Sequence, residues 1–303
     1  MSAAPVLLGY AAAVGFLAPR LMLRGAWPHR APALAVAVWH ALCVSLTLAV
    51  ALAAYSLAAP TEHLHADLIG LLHWCGLTNA SATPDPTTAA RLAVALPLSV
   101  ALLVLGCFGF EVLRGRRARS RHREVLDMVG RRSPGLRATV LEHDLAAAYC
   151  LPGFRPRVVV SAGALRLLSA EQLDAVLAHE RAHIEGRHHL VLAASEAFAR
   201  VFGLLPLARH AKVQTAVLLE MIADDQALRR QPREVLAAAM CEMAAGSAPA
   251  GAMAVGGPSA LIRLRRILAP QQRPHAAVRG SVAAAAVAVP LIPLFMGCAH
   301  GIG

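Results

Sequence analysis

The stretch VLAHERAHIEGRHH at residues 176–189 decides how the middle of this chain folds. Just upstream, Ser169 is followed three positions later by Gln172, the capping-box signature that opens a helix. Leu173, Val176, Leu177 and Ile184 then recur at helical spacing, and Gly186 can close the element. The spacing predicts a helix over 170–185. Residues four apart stack on one face of a helix, so His179 and His183 stand one turn apart, where two imidazoles can bind one zinc ion. Glu180 is the next residue along, within reach of water held at such an ion.

A zinc site of this kind needs a third protein ligand. Downstream lies EMIADD at 220–225, with helical periodicity through Val213, Val217, Glu220, Met221, Asp224 and Leu228 until Pro232 stops it. Glu220 and Asp224 share a face. The chain has only 18 acidic residues, and two of them aligned in this way read as a metal ligand plus its supporting partner rather than as surface charge.

Ahead of the histidine helix, Thr139 to Leu141, Tyr149 to Leu151 and the β-branched run Val158 to Val160 read as short strands, with a Pro152-Gly153 turn between the last two. A small sheet is implied, and with it an α+β domain. Val158 to Ser161 is either an edge strand that pairs with substrate backbone or an interior strand, with neither favoured.

Hydrophobic residues make up 57% of the chain and charged ones 16%, so lipid is the solvent for much of it. Four stretches, near 4–22, 33–59, 89–110 and 281–299, supply the roughly 20 apolar residues that cross a bilayer. The first lacks the flanks of a cleavable signal peptide and is expected to stay as a helix. The last contains Pro290 and Pro293, which membrane helices tolerate. Segment 190–207 is nearly as apolar but carries Glu196 and Arg200, and an arginine at a helix centre costs about 2.5–3.5 kcal/mol. It is expected to pack in the cytoplasmic domain or on the membrane surface.

The net charge of +11 lies beside the spans without aromatic interleaving, which argues against nucleic acid as a partner. Arg20, Arg24 and Arg30 lie between the first two spans, whereas 60–88 has no Arg or Lys and carries Glu62, Asp67 and Asp85. The first loop is therefore expected in the cytoplasm. The block Arg114, Arg116, Arg117, Arg119, Arg121 and Arg123 forms a collar on the inner leaflet. The resulting organisation is a three-span membrane domain over 1–110, a cytoplasmic domain over 111–280 and a final span with a short tail over 281–303, both termini outside. His63, His65, His73, Trp74 and Cys75 in the external loop read as an interfacial helix with an aromatic anchor. The six cysteines show neither disulfide nor metal-ligand spacing.

In order along the chain come three spans, a short sheet, VLAHERAHIEGRHH, EMIADD, the arginine-rich LIRLRRIL at 261–268 and a last span. This order resembles the BlaR/MecR-type membrane metallopeptidases, whose wider clan includes the HtpX-type and CAAX-prenyl membrane proteases. The resemblance implies a mainly α membrane protein with a gluzincin-type peptidase domain between spans three and four. It implies one Zn2+ held by His179, His183 and Glu220, with Glu180 as catalytic base and Asp224 in support. Its substrate would be a protein or peptide, with a cytosolic transcriptional repressor the family's signalling target. Antibiotic sensors of this family continue into a penicillin-binding domain after the fourth span; this chain ends at Gly303. Arg263 and Arg266 are candidates to stabilise the oxyanion or substrate, or to anchor on the inner leaflet. His188 is a weaker candidate; like His189 and His143 it reads as a solvated or hydrogen-bonded histidine. A membrane-protein quality-control protease and a catalytically silent scaffold are the rival readings. The second is disfavoured by Glu180, because a structural zinc needs no base.

Overall fold

The computed structural model describes residues 3–58, 88–246, 258–269 and 275–299. The chain starts with α1 (Ala4–Arg24), a single turn α2 (Trp27–Arg30), α3 (Pro32–Ala58) and α4 (Thr88–Val129). Among the described residues four segments are long and apolar enough to cross a membrane: α1, α3, Arg91–Val129 of α4, and Ala276–Cys298. Leu7, Trp39 and Leu46 are buried between them, while Leu17, Leu21, Leu102 and Leu105 project outwards, as lipid-facing side chains do. His63 to Cys75, expected in an external loop, lie outside the described residues.

The helices that carry two of the expected spans extend beyond them. The helix of the third does not stop near 110. It runs on as one helix through the arginine collar to Val129, because arginine and glutamate are good helix formers and nothing breaks the helix before Gly130. The last begins at Ala276 and is interrupted: α11 (Ala276–Ala288) gives way to a 3₁₀ turn at Val289–Leu291 before α12 (Ile292–Ala299). Pro293 has no N–H to offer the Val289 carbonyl four residues back. Ser45 Oγ donates to that carbonyl at 2.9 Å, and Tyr10 Oη does so at 3.5 Å. Together with the Ile292 N–H of the 3₁₀ turn, the neighbouring helices thus satisfy a backbone group that lipid cannot.

After α4 come β1 (Gly130–Ser133), β2 (Ala138–Leu141), β3 (Ala148–Leu151) and β4 (Arg157–Ser161), in the sheet order β1-β2-β4-β3. β4 pairs parallel with β2 and antiparallel with β3. The run Val158 to Ser161 is therefore interior, and the edge-strand alternative is corrected. Val158, Val159 and Val160 are each at most 4% exposed, and a strand covered on both faces reads as an unbroken β-branched run. The edge on that side is β3. β1 gave no sequence signal because Gly-Arg-Arg-Ser has no apolar alternation; its pairing with β2 carries it.

The remaining helices are α5 (Ala162–Leu167), α6 (Ala170–Glu185), α7 (His188–Phe202), α8 (Pro206–Ala227), α9 (Arg233–Gly246) and α10 (Pro258–Leu268). Both capping-box bonds of α6 are present, Gln172 N–H to Ser169 Oγ at 3.2 Å and Ser169 N–H to Gln172 Oε1 at 2.8 Å. Such a cap is worth about 1 kcal/mol and fixes where the histidine helix starts. Leu173 and Leu177 of α6 pack with Val158 and Val160 of the sheet, and Ala175 packs with Leu236 and Ile267.

Segment 190–207 joins neither the sheet domain's core nor a bare surface. Phe198, Leu207, Ala208, Ala211, Leu218 and Met221 share one core with Val14, Met22, Trp39, Leu42 and Leu46 of α1 and α3. The charges of this segment are paired: Glu196 with Lys212 at 2.8 Å, and Arg200 with Glu111, which also accepts from Arg114. Arg200 further lies 5.1 Å from the centre of the Phe110 ring. Pairing offsets the desolvation that makes a lone arginine costly.

Candidate metal centre

α6 and α8 pack together and bring three metal-ligating side chains to one point. His179 Nε2 and His183 Nε2 are 3.2 Å apart, and each is 3.4 Å from a carboxylate oxygen of Glu220. Among the described residues, His179, His183 and Glu220 are the group able to hold a metal ion, their donor atoms all within 4.8 Å of one another. Each member was expected from the sequence, and helical spacing explains why: a one-turn repeat on α6 faces a carboxylate on the neighbouring helix.

Behind these atoms each imidazole has its own partner. His179 Nδ1 meets Asp224 Oδ1 at 3.0 Å, and Asp224 is fully buried. Arg263 of α10 clamps that carboxylate with two bonds, Nε to Oδ2 at 2.8 Å and Nη2 to Oδ1 at 2.7 Å, and reaches Glu220 with Nη1 at 2.8 Å. His183 Nδ1 lies 2.8 Å from His188 Nδ1, with the two rings perpendicular. Sequence reading assigns His188 no such place, because the turn that delivers it is invisible to periodicity. Arg187 takes the left-handed conformation with φ 48°, so the chain doubles back after α6. Gly186 leaves room for the returning ring, since a Cβ there would lie 2.5 Å from His188 Nε2.

The electrostatics follow from this packing. Burial acts to deprotonate His179, but hydrogen bonds to Asp224 and Glu220 outweigh it and hold its pKa up at about 9. Burial alone would raise Glu220 and Asp224; the His179 and Arg263 contacts reverse that and keep both carboxyls below their ordinary range. Burial pushes Glu180 up, its carboxyl being opposed by the nearby His179 charge and by hydrogen bonds from Cys150 of β3. A carboxylate with a raised pKa beside a metal group is suited to moving protons. The Cys150 thiol is itself pushed up to about 12, by burial first and then by Glu180.

Two expectations need correcting. Arg263 and Arg266 do not anchor on a leaflet, because their side chains are only 15% and 8% exposed. Arg266 Nη2 meets Asp225 at 2.7 Å, and its Nε donates to the His29 carbonyl at 2.7 Å, tying α10 to the loop between α1 and α3. Nor is Arg263 aimed at an oxyanion: its three nitrogens are engaged by Asp224 and Glu220. The arginines three apart in LIRLRRIL share the face that meets α8, which an arginine count beside a membrane does not reveal.

Helices apolar enough to span a membrane, a mixed sheet and a half-buried histidine-histidine-glutamate group able to hold a metal ion are together the features of a membrane-associated metalloprotein. Residues 113–262 match the family described as Peptidase family M48, a likeness that supports a metallopeptidase function for this region. That range includes the sheet, His179, Glu180, His183, Glu220 and Asp224 and ends one residue before Arg263. No curated protein and no solved structure matches the chain.

Proposed function

We propose that this chain is an integral-membrane zinc metalloendopeptidase. The observation that carries the proposal is the spacing of the three donors. Zinc bonds of about 2.0–2.2 Å in a tetrahedron put ligand atoms about 3.3–3.6 Å apart. The two imidazole nitrogens here are 3.2 Å apart, Glu220 Oε2 is 3.4 Å from His179 and Oε1 is 3.4 Å from His183, so the three side chains close on one point at separations near those of a tetrahedral set. When bound, zinc supplies a Lewis acid that lowers the pKa of water towards about 7 and polarises a peptide carbonyl. Glu180 accepts the proton of the attacking water and passes it to the leaving amine, a transfer its burial-raised pKa favours. β3, at the sheet edge with Cys150 beside Glu180, offers backbone groups to an extended substrate.

The groups behind the ligands set their orientation. A neutral imidazole that binds metal through Nε2 carries its proton on Nδ1. Asp224 accepts that proton from His179, and His188 Nδ1 accepts it from His183. Partners of this kind are worth about 10–100-fold in metal affinity. His188→Leu should weaken zinc binding by that factor in a chelator competition. His188→Asn, whose amide oxygen occupies the place of Nδ1, should restore most of it; equal loss in both variants would remove His188 from this role.

The peptidase domain is assigned to the cytoplasm, with both termini outside, from the arginines of the first loop and the collar. The His29–Arg266 contact supports placing that loop and the domain on the same side. Reporter fusions after Arg30 and Arg123 should read cytoplasmic and one near Pro84 external. An external signal at Arg123 would reverse the assignment.

For substrate, the BlaR/MecR-type arrangement of motifs supports a cytosolic transcriptional repressor. The contact of the metal-bearing helices with the first loop supports a membrane protein under quality control. Proteomes of cells carrying the wild-type or the Glu180→Gln chain separate these: one stabilised DNA-binding protein favours the first, many membrane proteins the second. No stabilised protein at all would count against both.

A further inference from the structure

We propose that α7 and α8 form a re-entrant hairpin whose tip, residues 203–206, lies near the middle of the bilayer against lipid acyl chains. The inference rests on the membrane-spanning reading of α1, α3 and the last span, and is independent of the peptidase chemistry.

The depth is set by contacts with helices whose length matches the hydrocarbon thickness. α1 covers 21 residues, about 31 Å at about 1.5 Å per residue, against a hydrocarbon core of about 30 Å. Its middle is Val14, and the middle of α3 (Pro32–Ala58) is Ser45. Ser45 hydrogen-bonds both Tyr10, about one turn from the middle of α1, and the carbonyl of Val289, near the centre of the last span, so the middles of the three spans lie within about one turn of the same level. The hairpin tip reaches that level. A methyl group on Gly15 would lie 3.4 Å from Leu46 and 3.6 Å from Leu205. Leu205 thus faces inwards between the centres of α1 and α3, while its neighbour Leu204 is 95% exposed. An almost fully exposed leucine at mid-span depth meets acyl chains rather than water.

The charges on the hairpin agree with this placement. Arg209 and Lys212 stand four and seven positions beyond Leu205, about 6 and 10 Å up α8, from where their long side chains reach the interface about 15 Å from the centre. Arg200 and Glu196 are held in ion pairs with Glu111 and Lys212. The same ruler places the metal group: Glu220 is 15 positions beyond Leu205, about 22 Å along α8, which is the headgroup layer. The His29 loop lies beside Arg266 and Met221 at this level. The metal group therefore lies at the membrane surface.

The test uses the full chain in phosphatidylcholine–phosphatidylglycerol vesicles, with a genetically encoded fluorescent amino acid at position 204, 102 or 154. Leu102 is a lipid-facing residue of α4, and Phe154, 94% exposed, sits on the β3–β4 turn of the sheet domain. All three are surface positions, so the fold should survive each replacement. Bromine placed deep in the acyl chains should quench positions 204 and 102 strongly, and aqueous iodide should quench position 154 alone. Quenching of 204 by iodide, or by headgroup-proximal bromine only, with 102 still quenched from the lipid, would overturn the re-entrant hairpin and leave the spans intact. Failure of lipid quenching at 102 as well would overturn the membrane reading on which the hairpin depends.

Discussion

Glu180→Gln should abolish peptide cleavage while leaving one zinc per chain in place. The amide keeps the size of the side chain and much of its hydrogen bonding, but it cannot accept the proton of the attacking water. A positioned general base contributes about 10²–10⁴-fold, and cleavage should fall by at least that much. The ligands His179, His183 and Glu220 are untouched, so metal content should not change. Stability should hold or rise slightly, because burial disfavours the carboxylate at this position and a neutral amide avoids that cost. The measurements are a cleavage assay on an unfolded test protein and metal analysis of the same detergent-purified preparation. Full activity in Glu180→Gln with zinc retained would remove the peptidase reading and favour a scaffold whose metal is structural.

The parts of this site that were legible in the sequence are those that helical periodicity encodes. His179 and His183 lie four apart on α6 and Glu220 and Asp224 four apart on α8, and two helices with one polar stripe each have few ways to bury it other than against each other. Ser169 and Gln172 marked the start of α6 to the residue, because a capping box is a local hydrogen-bond pattern. What lay beyond sequence reading depends on non-local packing. Whether Val158 to Ser161 is interior depends on β3 folding back over it. Whether Arg263 faces a lipid or Asp224 depends on how α10 docks on α8. His188 reaches the site only because Arg187 adopts a left-handed conformation and Gly186 leaves space.

The membrane reading divides in the same way. Apolar length found α1, α3 and the third and last spans, since twenty-residue runs are a one-dimensional signal. Segment 190–207 was expected in the cytoplasmic domain or on the membrane surface because its charges were each taken alone. Glu111, at the end of the apolar part of α4, is the partner of Arg200, and 89 residues separate the two. Single-residue transfer costs do not see such pairs.

Glu220→Ala should lose the metal outright, since two imidazoles hold zinc poorly and each also loses the carboxylate it faces. Arg263 would then be left with Asp224 alone. Removing His183 should have the same effect on metal. The most direct test of the whole account is zinc K-edge absorption spectroscopy on the purified wild-type chain beside Glu220→Ala. The account predicts one zinc per wild-type chain with nitrogen and oxygen neighbours at about 2.0–2.2 Å, two of them imidazoles, and no bound zinc in the variant. A sulfur neighbour at about 2.3 Å, as ligation by the nearby Cys150 would give, or full zinc occupancy in Glu220→Ala, would contradict it.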